Sequence, residues 1–434
     1  MKGRSRCQAS LHARWPSLDM DKDMTEGAKS EIERLILKLG QITFAQFMEI
    51  ALFSPNGGYY TSGVNWGHRD FYTAPATHPA FGALLALQLQ QVWGLMGCPS
   101  TFYVLEVGAA GGILAKDIVS YSSCLSPEFS DALQYIMVDY VSPPNVPGPS
   151  QIIKANGLPF KDLVGCILSN ELLDAFPVHR FVIQRNQIKE IYVAMREGQF
   201  VEVLDESSTP MVEQRICELG LDLRDGFRGE VNLAMEGWIQ ELSRMLERGL
   251  ILTIDYGHLA QDLYAPERSN GTLRCYYRHT LGGNPYRRIG RQDITAHVDF
   301  TSLIGTGEKY GLTTAGFSAQ GEFLKNLGFY AFLDRLRHRP LPQRELDANK
   351  MGMLELIKPG EMGDFKVLAQ TKGLKSDIEL LGFAPNSPLR KDKLAILGLP
   401  DGPILSTRHM DLMTGKYPDL SWEWQDLWPF GGDN

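Results

Sequence analysis

Asp139, the block Asn170-Glu171-Leu172-Leu173-Asp174, and Asp255-Tyr256-Gly257-His258 are where this chain could do chemistry, because each follows an apolar, strand-like run. The runs are 133–138, 164–169 and 250–254. In open α/β sheets ligands bind beyond the carboxyl ends of the strands, so polar groups recurring there mark one working edge. Glu171, Asp174 and Asn170 stand among Leu172, Leu173 and Phe176, where carboxylates are costly unless paired. Acids capping a helix N-terminus are the plain structural reading; a functional site is the stronger one. A fourth stretch, 103–107 followed by Gly108-Ala109-Ala110-Gly111-Gly112, reads as strand, glycine turn and helix, the opening of a nucleotide-type βαβ unit. Glycines let the backbone approach a ligand and the helix start offers free N–H groups, although packing alone also explains two glycines in a tight turn. An acid in the position of Asp139 accepts hydrogen bonds from a ribose diol in such units. It lies beyond the usual spacing of about 20 residues, which calls for a longer intervening helix.

The elements around these groups follow from periodicity. Ile32, Leu35, Ile36 and Leu39 recur at helical spacing, and Thr43 is placed to cap a second helix with Phe44, Phe47, Met48 and Leu52. A turn then closes on Tyr59 and Tyr60, Phe71-Tyr72-Thr73-Ala74-Pro75 follows, and 81–93 is a strongly apolar helix; the tyrosines of this segment could line a ligand pocket, although simple packing is the commoner role. Residues 25–100 thus read as a helical cap before the sheet. Pro143, Pro144, Pro147 and Pro149 forbid a crossover helix between the second strand and a short third one at Ile152-Ile153. Residues 178–204 alternate like a β-hairpin extension, 231–247 form an amphipathic helix ending at Gly249, and 365–370 are a late strand. The polar section from about 258 to 310 is a long insertion of the kind that carries recognition. Its histidines, His279 and His297, lack metal spacing and read as structural; its basic cluster Arg287-Arg288-Ile289-Gly290-Arg291 reads as a solvated face. Trp422, Trp424 and Trp428 in the tail read as docking on the chain itself.

Net charge is −8 and the pI about 5.7, so no global basic footprint points to nucleic acid. The 6 cysteines have neither CxxC nor zinc-like spacing, so reduced thiols and no metal are expected. No apolar run reaches the roughly 18 residues of a membrane span. Residues 1–18 hold Lys2, Arg4, Arg6 and Arg14 without an acid, the composition of an organellar presequence. Met20 and Met24, just before the first helix, favour instead an upstream start or tail, and hence a cytoplasmic protein, with the mitochondrial matrix as the alternative.

In their order along the chain, several blocks resemble the MidA-like family of class I S-adenosylmethionine-dependent methyltransferases, from about Ile42 to Gly373. They are Phe71-Tyr72-Thr73-Ala74-Pro75, the block from Asn170 to Pro177, Asp255-Tyr256-Gly257, Thr272-Leu273-Arg274, and the block from Asp293 to Phe300. Gln320-Gly321-Glu322-Phe323-Leu324 and the block from Met362 to Leu368 match as well. The resemblance implies an α/β, Rossmann-like, mostly parallel sheet with an N-terminal helical cap and a substrate-side insertion. It divides the chain into a flexible extension 1–24, a cap 25–100, a methyltransferase-like domain 101–373 with insertions at about 178–204 and 258–310, and an extension 374–434. It implies S-adenosylmethionine as cofactor, with Glu106, Gly108 and Gly112 at its methionine end, Asp139 on the ribose and Asn170 facing it. Mitochondrial members are respiratory complex I assembly factors that methylate protein arginine, so the resemblance implies a protein substrate, with a respiratory-complex subunit as one candidate. Guanidinium is always protonated near neutral pH, and paired carboxylates can hold it by a bidentate fork. Glu171 and Asp174, with Asn170, are the catalytic candidates; on a helix the two acids would share a face, and Asp255 and His258 would line the same cleft. The chain departs from the family where Ala110 replaces a glycine, where Ala76 replaces an acid, and at the proline run. A methyltransferase with another acceptor, or a non-catalytic assembly protein with an altered cofactor pocket, are the alternatives.

Overall fold

The computed structural model describes residues 27–61, 73–140, 151–154, 157–277, 280–375, 377–384, 386, 398–406 and 409. The basic N-terminal segment, Phe71-Tyr72, the proline run, His279 and the tail tryptophans lie outside them.

Seven strands form the central sheet: β1 (Phe102–Val107), β2 (Leu133–Asp139), β3 (Gln151–Lys154), β4 (Leu163–Asn170), β5 (Leu246–Asp255), β6 (Thr313–Ala319) and β7 (Lys366–Lys372). Their order is β6-β7-β5-β4-β1-β2-β3, and β7 alone among them runs antiparallel to its neighbours. The sheet is therefore mostly parallel, as expected. The strand order reverses beside β1, which creates the crevice where such sheets bind ligands. Val107 pairs with Val138 and Ser169, and Ile254 with Asn170, so β1, β2, β4 and β5 all end at one edge.

The central strands are continuous apolar runs because both faces are covered. Val104, Met137, Cys166, Leu168, Leu250 and Leu252 face a core with Phe81, Leu84, Leu114, Ile118 and Phe323. Leu105, Ile136, Ile167 and Ile251 face the opposite core with Trp238, Ile239 and Phe300. Burial of each such side chain contributes roughly 1.5–3 kcal/mol. The helices Ala80–Leu95 and Ile113–Ser122 approach closely because Gly82 has no side chain: a Cβ there would lie 2.6 Å from Asp117 Cβ. Two helices, Ile113–Ser122 and Pro127–Ala132, rather than one longer helix, account for the wide spacing between the glycine turn and Asp139.

A second sheet pairs Gln41–Thr43 with Gln187–Arg196, which also pairs with His179–Gln184 and Gln199–Asp205; Arg228–Val231 closes the other edge. The alternating stretch after β4 is thus strand-rich, but the N-terminal region contributes a strand as well as helices. Thr43 ends that strand and begins the helix Phe44–Phe53 through a reciprocal capping box with Gln46. A third small sheet, Thr280–Gly282, Arg274–Tyr277 and Asp293–Thr295 in that order, stands beside the strand ends of the main one.

Candidate active site

At the end of β1 the chain turns through Gly108, whose φ is 74° and whose N–H donates to Val138 O at 2.9 Å. A Cβ on Gly108 would lie 2.9 Å from Leu172 Cδ1, so this turn packs on the loop after β4. Gly112, at φ 66°, precedes the helix Ile113–Ser122, and a Cβ there would meet Met137 Sδ at 3.1 Å. Between them Ala110 also adopts a left-handed backbone, φ 44°, a conformation that costs a residue with a Cβ about 1–2 kcal/mol. The N–H of Ala110 donates to Asp139 Oδ2 at 2.8 Å, which ties the acid at the end of β2 to the turn. Glu106 is buried and accepts the Tyr135 hydroxyl at 2.9 Å. Burial, with the charge of Asp139 adding to it, raises its carboxyl to about 8 despite that hydrogen bond. Asn170 Oδ1, at the end of β4, is buried without a hydrogen-bond partner among the described residues. A left-handed glycine turn, an acid on the next strand and an unsatisfied amide oxygen form a cradle that could hold an adenosyl group with an amino-acid tail.

The second group is acidic. Asn170 Nδ2 donates to Glu171 Oε1 at 3.1 Å, and the N–H of Ala74 donates to the same oxygen at 3.3 Å. Glu171 has φ 51°, and its N–H is held by Ile254 O at 2.8 Å. Beyond it Leu173–Ala175 makes a single 3₁₀ turn. Glu171 and Asp174 therefore do not share a helix face, contrary to expectation; a left-handed kink and one tight turn separate them. Asp255, fully buried at the end of β5, fixes this loop. Its Oδ2 accepts the N–H groups of Leu172, Leu173 and Asp174 at 3.1, 2.8 and 3.4 Å, and its Oδ1 accepts that of Tyr256 at 2.9 Å. The Tyr256 hydroxyl bonds Asp174, and the Tyr60 hydroxyl donates to Asp293 Oδ1 at 2.9 Å.

Burial is the first cause of every shift in this group. Together with the charges of Asp174 and Asp293, it raises Glu171 to about 8, and it raises Asp174 to about 6. Asp255 is pushed up by burial and by Asp174, while its N–H donors act in the opposite sense. Among the described residues no Lys or Arg lies within ion-pair distance of Glu171, Asp174 or Asp255.

The structure thus gathers Glu106, Gly108, Gly112 and Asp139 around one turn and Asn170, Glu171 and Asp174 around Asp255. The two groups meet where Gly108 packs on Leu172. The His258 ring lies 5.2 Å from that of His297, which in turn lies 5.3 Å from the Tyr256 ring, and burial lowers the two histidines to about 4 and about 3. Sequence reasoning left Tyr256 and Asp293 without a role and Tyr60 only as a general pocket candidate. Nothing in the spacing ties Tyr60 to Asp293, although both lie in stretches singled out for other reasons.

Residues 84–318 match the family described as "Putative S-adenosyl-L-methionine-dependent methyltransferase". The mitochondrial protein arginine methyltransferase NDUFAF7 homologue of Drosophila melanogaster is 28% identical over 381 residues, covering 79% of this chain and 84% of its own. The mitochondrial protein arginine methyltransferase NDUFAF7 of Danio rerio is 27% identical over 330 residues, covering 68% and 74%. A Burkholderia thailandensis protein crystallised with S-adenosyl-homocysteine superposes with a TM-score of 0.71 at 29% identity, over 85% of this chain and 98% of that one.

Proposed function

We propose that this chain, which belongs to that family of S-adenosyl-L-methionine-dependent methyltransferases, methylates arginine side chains of a protein. One observation carries the choice of acceptor: Glu171, Asp174 and Asp255 converge beside the glycine turn with no cation of the chain paired to them among the described residues. Buried carboxylates in that state favour a cationic guest, and a planar guanidinium satisfies two of them at once. The names of the Drosophila and Danio relatives support the same acceptor.

The bound cofactor supplies a methyl group on a sulfonium centre. On this reading Gly108, Gly112 and Glu106 shape the methionine end of its site, and Asp139 receives the ribose while still holding Ala110. Asn170 serves both sides, orienting Glu171 through its Nδ2 and leaving Oδ1 for the cofactor. Glu171 and Asp174 hold the guanidinium, which orients one nitrogen and accounts for most of the advantage in a displacement limited by alignment. The nitrogen that is methylated must lose a proton, and Glu171, the more strongly raised of the pair, receives it. Asp255 keeps the loop in place and Tyr256 keeps Asp174 aimed.

We read residues 101–373 as the catalytic body, with 25–100 and the insertions on the acceptor side. The relatives carry "mitochondrial" in their names, so the cytoplasmic expectation finds no support, and the acid-free basic stretch 1–18 favours the mitochondrial matrix. A respiratory-complex subunit as acceptor rests on the family resemblance alone.

The test is incubation with methyl-labelled S-adenosylmethionine and arginine peptides, followed by hydrolysis and separation of methylated amino acids. Methylarginine is expected. Glu171→Gln and Asp174→Asn should each lower kcat/KM by about a hundredfold or more, the range for losing a charge-assisted bond and a proton acceptor. Label confined to lysine or to small molecules refutes the acceptor, and an unchanged rate in Glu171→Gln refutes its role.

A further inference from the structure

Between Glu267 and Asp293 the chain carries Arg268, Arg274, Arg278, Arg287, Arg288 and Arg291 and no acid, in a protein of net charge −8. Arg278 lies outside the described residues. This basic segment builds two strands of the small sheet whose third strand begins at Asp293, and Arg274 and Tyr276 are paired with Thr295 and Asp293. It is therefore the immediate border of the acidic group; the Tyr276 hydroxyl feels Asp174, Arg274, Asp293 and Glu171 together.

The loop that presents the arginines is built, not slack. Gln292 Nε2 donates to Asn284 O and Pro285 O, both at 3.0 Å, and the Arg291 N–H donates to Arg288 O at 2.7 Å. The Tyr286 ring packs on Phe44, Phe47 and Phe200 at centroid distances of 6.4, 5.1 and 6.5 Å. Gly290 presses on the N-terminal region, where a Cβ would lie 2.2 Å from Gly57 O. From this anchored loop Arg287, Arg288 and Arg291 are exposed, as is Arg274 on its strand. Arg288 lies over the Tyr277 ring at 4.4 Å. Among the described residues none of these four is within ion-pair distance of a carboxylate.

We propose that this arginine surface binds acidic residues flanking the target arginine of the acceptor polypeptide. The proposal rests on the protein-arginine reading of the adjoining site. An acidic centre beside a basic border is complementary to one cation set among anions, which is an acidic peptide with an arginine in it. A nucleic acid, uniformly negative, would satisfy the border and be repelled by Glu171, Asp174 and Asp293.

The test uses two fluorescent peptides with one central arginine, flanked by glutamates in one and by glutamines in the other, and the full chain with S-adenosyl-homocysteine. At about 50 mM salt the glutamate peptide should bind about tenfold more tightly, with the preference collapsing as salt shortens the screening length. In the double variant Arg287→Gln, Arg291→Gln the preference should fall to about threefold or less, while the glutamine peptide binds as it does to the unaltered chain. Equal binding at low salt overturns the proposal, as does a preference that persists unchanged at high salt or in a folded double variant. Displacement of the glutamate peptide by an oligouridylate at lower concentration than by unlabelled peptide also overturns it, in favour of a nucleic-acid surface. The salt titration needs no variant, so misfolding of the double substitution leaves the proposal testable. Methyl transfer separates the two readings. Arginine-surface-dependent binding without arginine methylation keeps the surface and removes the acceptor assignment; equal methylation and equal binding of both peptides do the reverse.

Discussion

Asp255→Ala removes the shared acceptor of the loop that carries Glu171 and Asp174. The bonds from Leu172 and Leu173, at 3.1 and 2.8 Å, are well formed, whereas the one from Asp174, at 3.4 Å, is marginal, so within the loop two buried donors lose full partners; the Tyr256 N–H, bonded to Oδ1 at 2.9 Å, loses its own outside the loop. An unsatisfied buried donor costs about 1–3 kcal/mol. Against a sum of roughly 2–6 kcal/mol stands the relief of repulsion with Asp174 and Glu171, and water entering the vacated space. A local loss of about 2–3 kcal/mol remains, and at about 1.4 kcal/mol per decade this lowers amide protection in the peptide 171–177 some thirty- to a hundredfold. Asp255→Asn keeps one oxygen for the loop and turns its amide against the Tyr256 N–H, so the loss should be about 1 kcal/mol, or near fivefold. Hydrogen exchange read by mass spectrometry measures both variants without assuming two-state unfolding. Protection in Asp255→Ala within about twofold of the unaltered chain would refute the claim that this carboxylate holds the loop.

The remaining predictions concern the cofactor side. Glu106 is raised to about 8, so the folded chain keeps a proton that the unfolded chain releases near 4.5. Its contribution is present below 4.5 and is lost as pH rises towards 8. Glu106→Gln should therefore lose at least about 1 kcal/mol less stability than the unaltered chain over that window, and parallel pH–stability curves would contradict it. Asp139→Ala should weaken S-adenosyl-homocysteine binding at least about tenfold in calorimetry, since it removes a charged acceptor and releases the Ala110 N–H; affinity within twofold would remove Asp139 from the site. Gly108→Ala forces a Cβ into a left-handed residue 2.9 Å from Leu172 Cδ1, and should cost about 1–2 kcal/mol in thermal unfolding as well as affinity.

The sequence made some of this readable for definite reasons. β1, β2, β4 and β5 stood out because strands buried on both faces are apolar runs, and the break after each was visible, a glycine after β1 and a polar residue at the end of the other three. Gly108 and Gly112 stood out because their backbones need φ near 70°. What stayed hidden is non-local. Gln41–Thr43 is too short to carry a period, and its pairing with Gln187–Arg196 leaves no trace in either segment. Tyr60 and Asp293 meet only because the small sheet folds back over the N-terminal turn. The kink at Glu171 was missed because spacing suggests a helix while φ of 51° interrupts one, and Ala110 hides a left-handed turn behind a residue that seldom adopts it.

Glu171, Asp174 and Asp255 each have a polar partner, but among the described residues those partners are neutral: backbone N–H groups for Asp255, a phenol for Asp174 and an amide for Glu171. Neutral donors offset part of the desolvation cost and fix geometry, yet leave the charge uncancelled. A lysine or arginine of the chain in their place would cancel that charge, at the cost of desolvating a second ion, and use up the field that attracts a ligand. The carboxyls of Glu171 and Asp174 are raised first by burial, which no counter-charge among the described residues offsets, and a guanidinium entering the site would lower both again. Binding of the acceptor should therefore expel protons. Calorimetry in buffers of different ionisation enthalpy reads that release directly, and an arginine peptide that binds near pH 7 with no proton release would show that the acids are already charged and that the field argument fails.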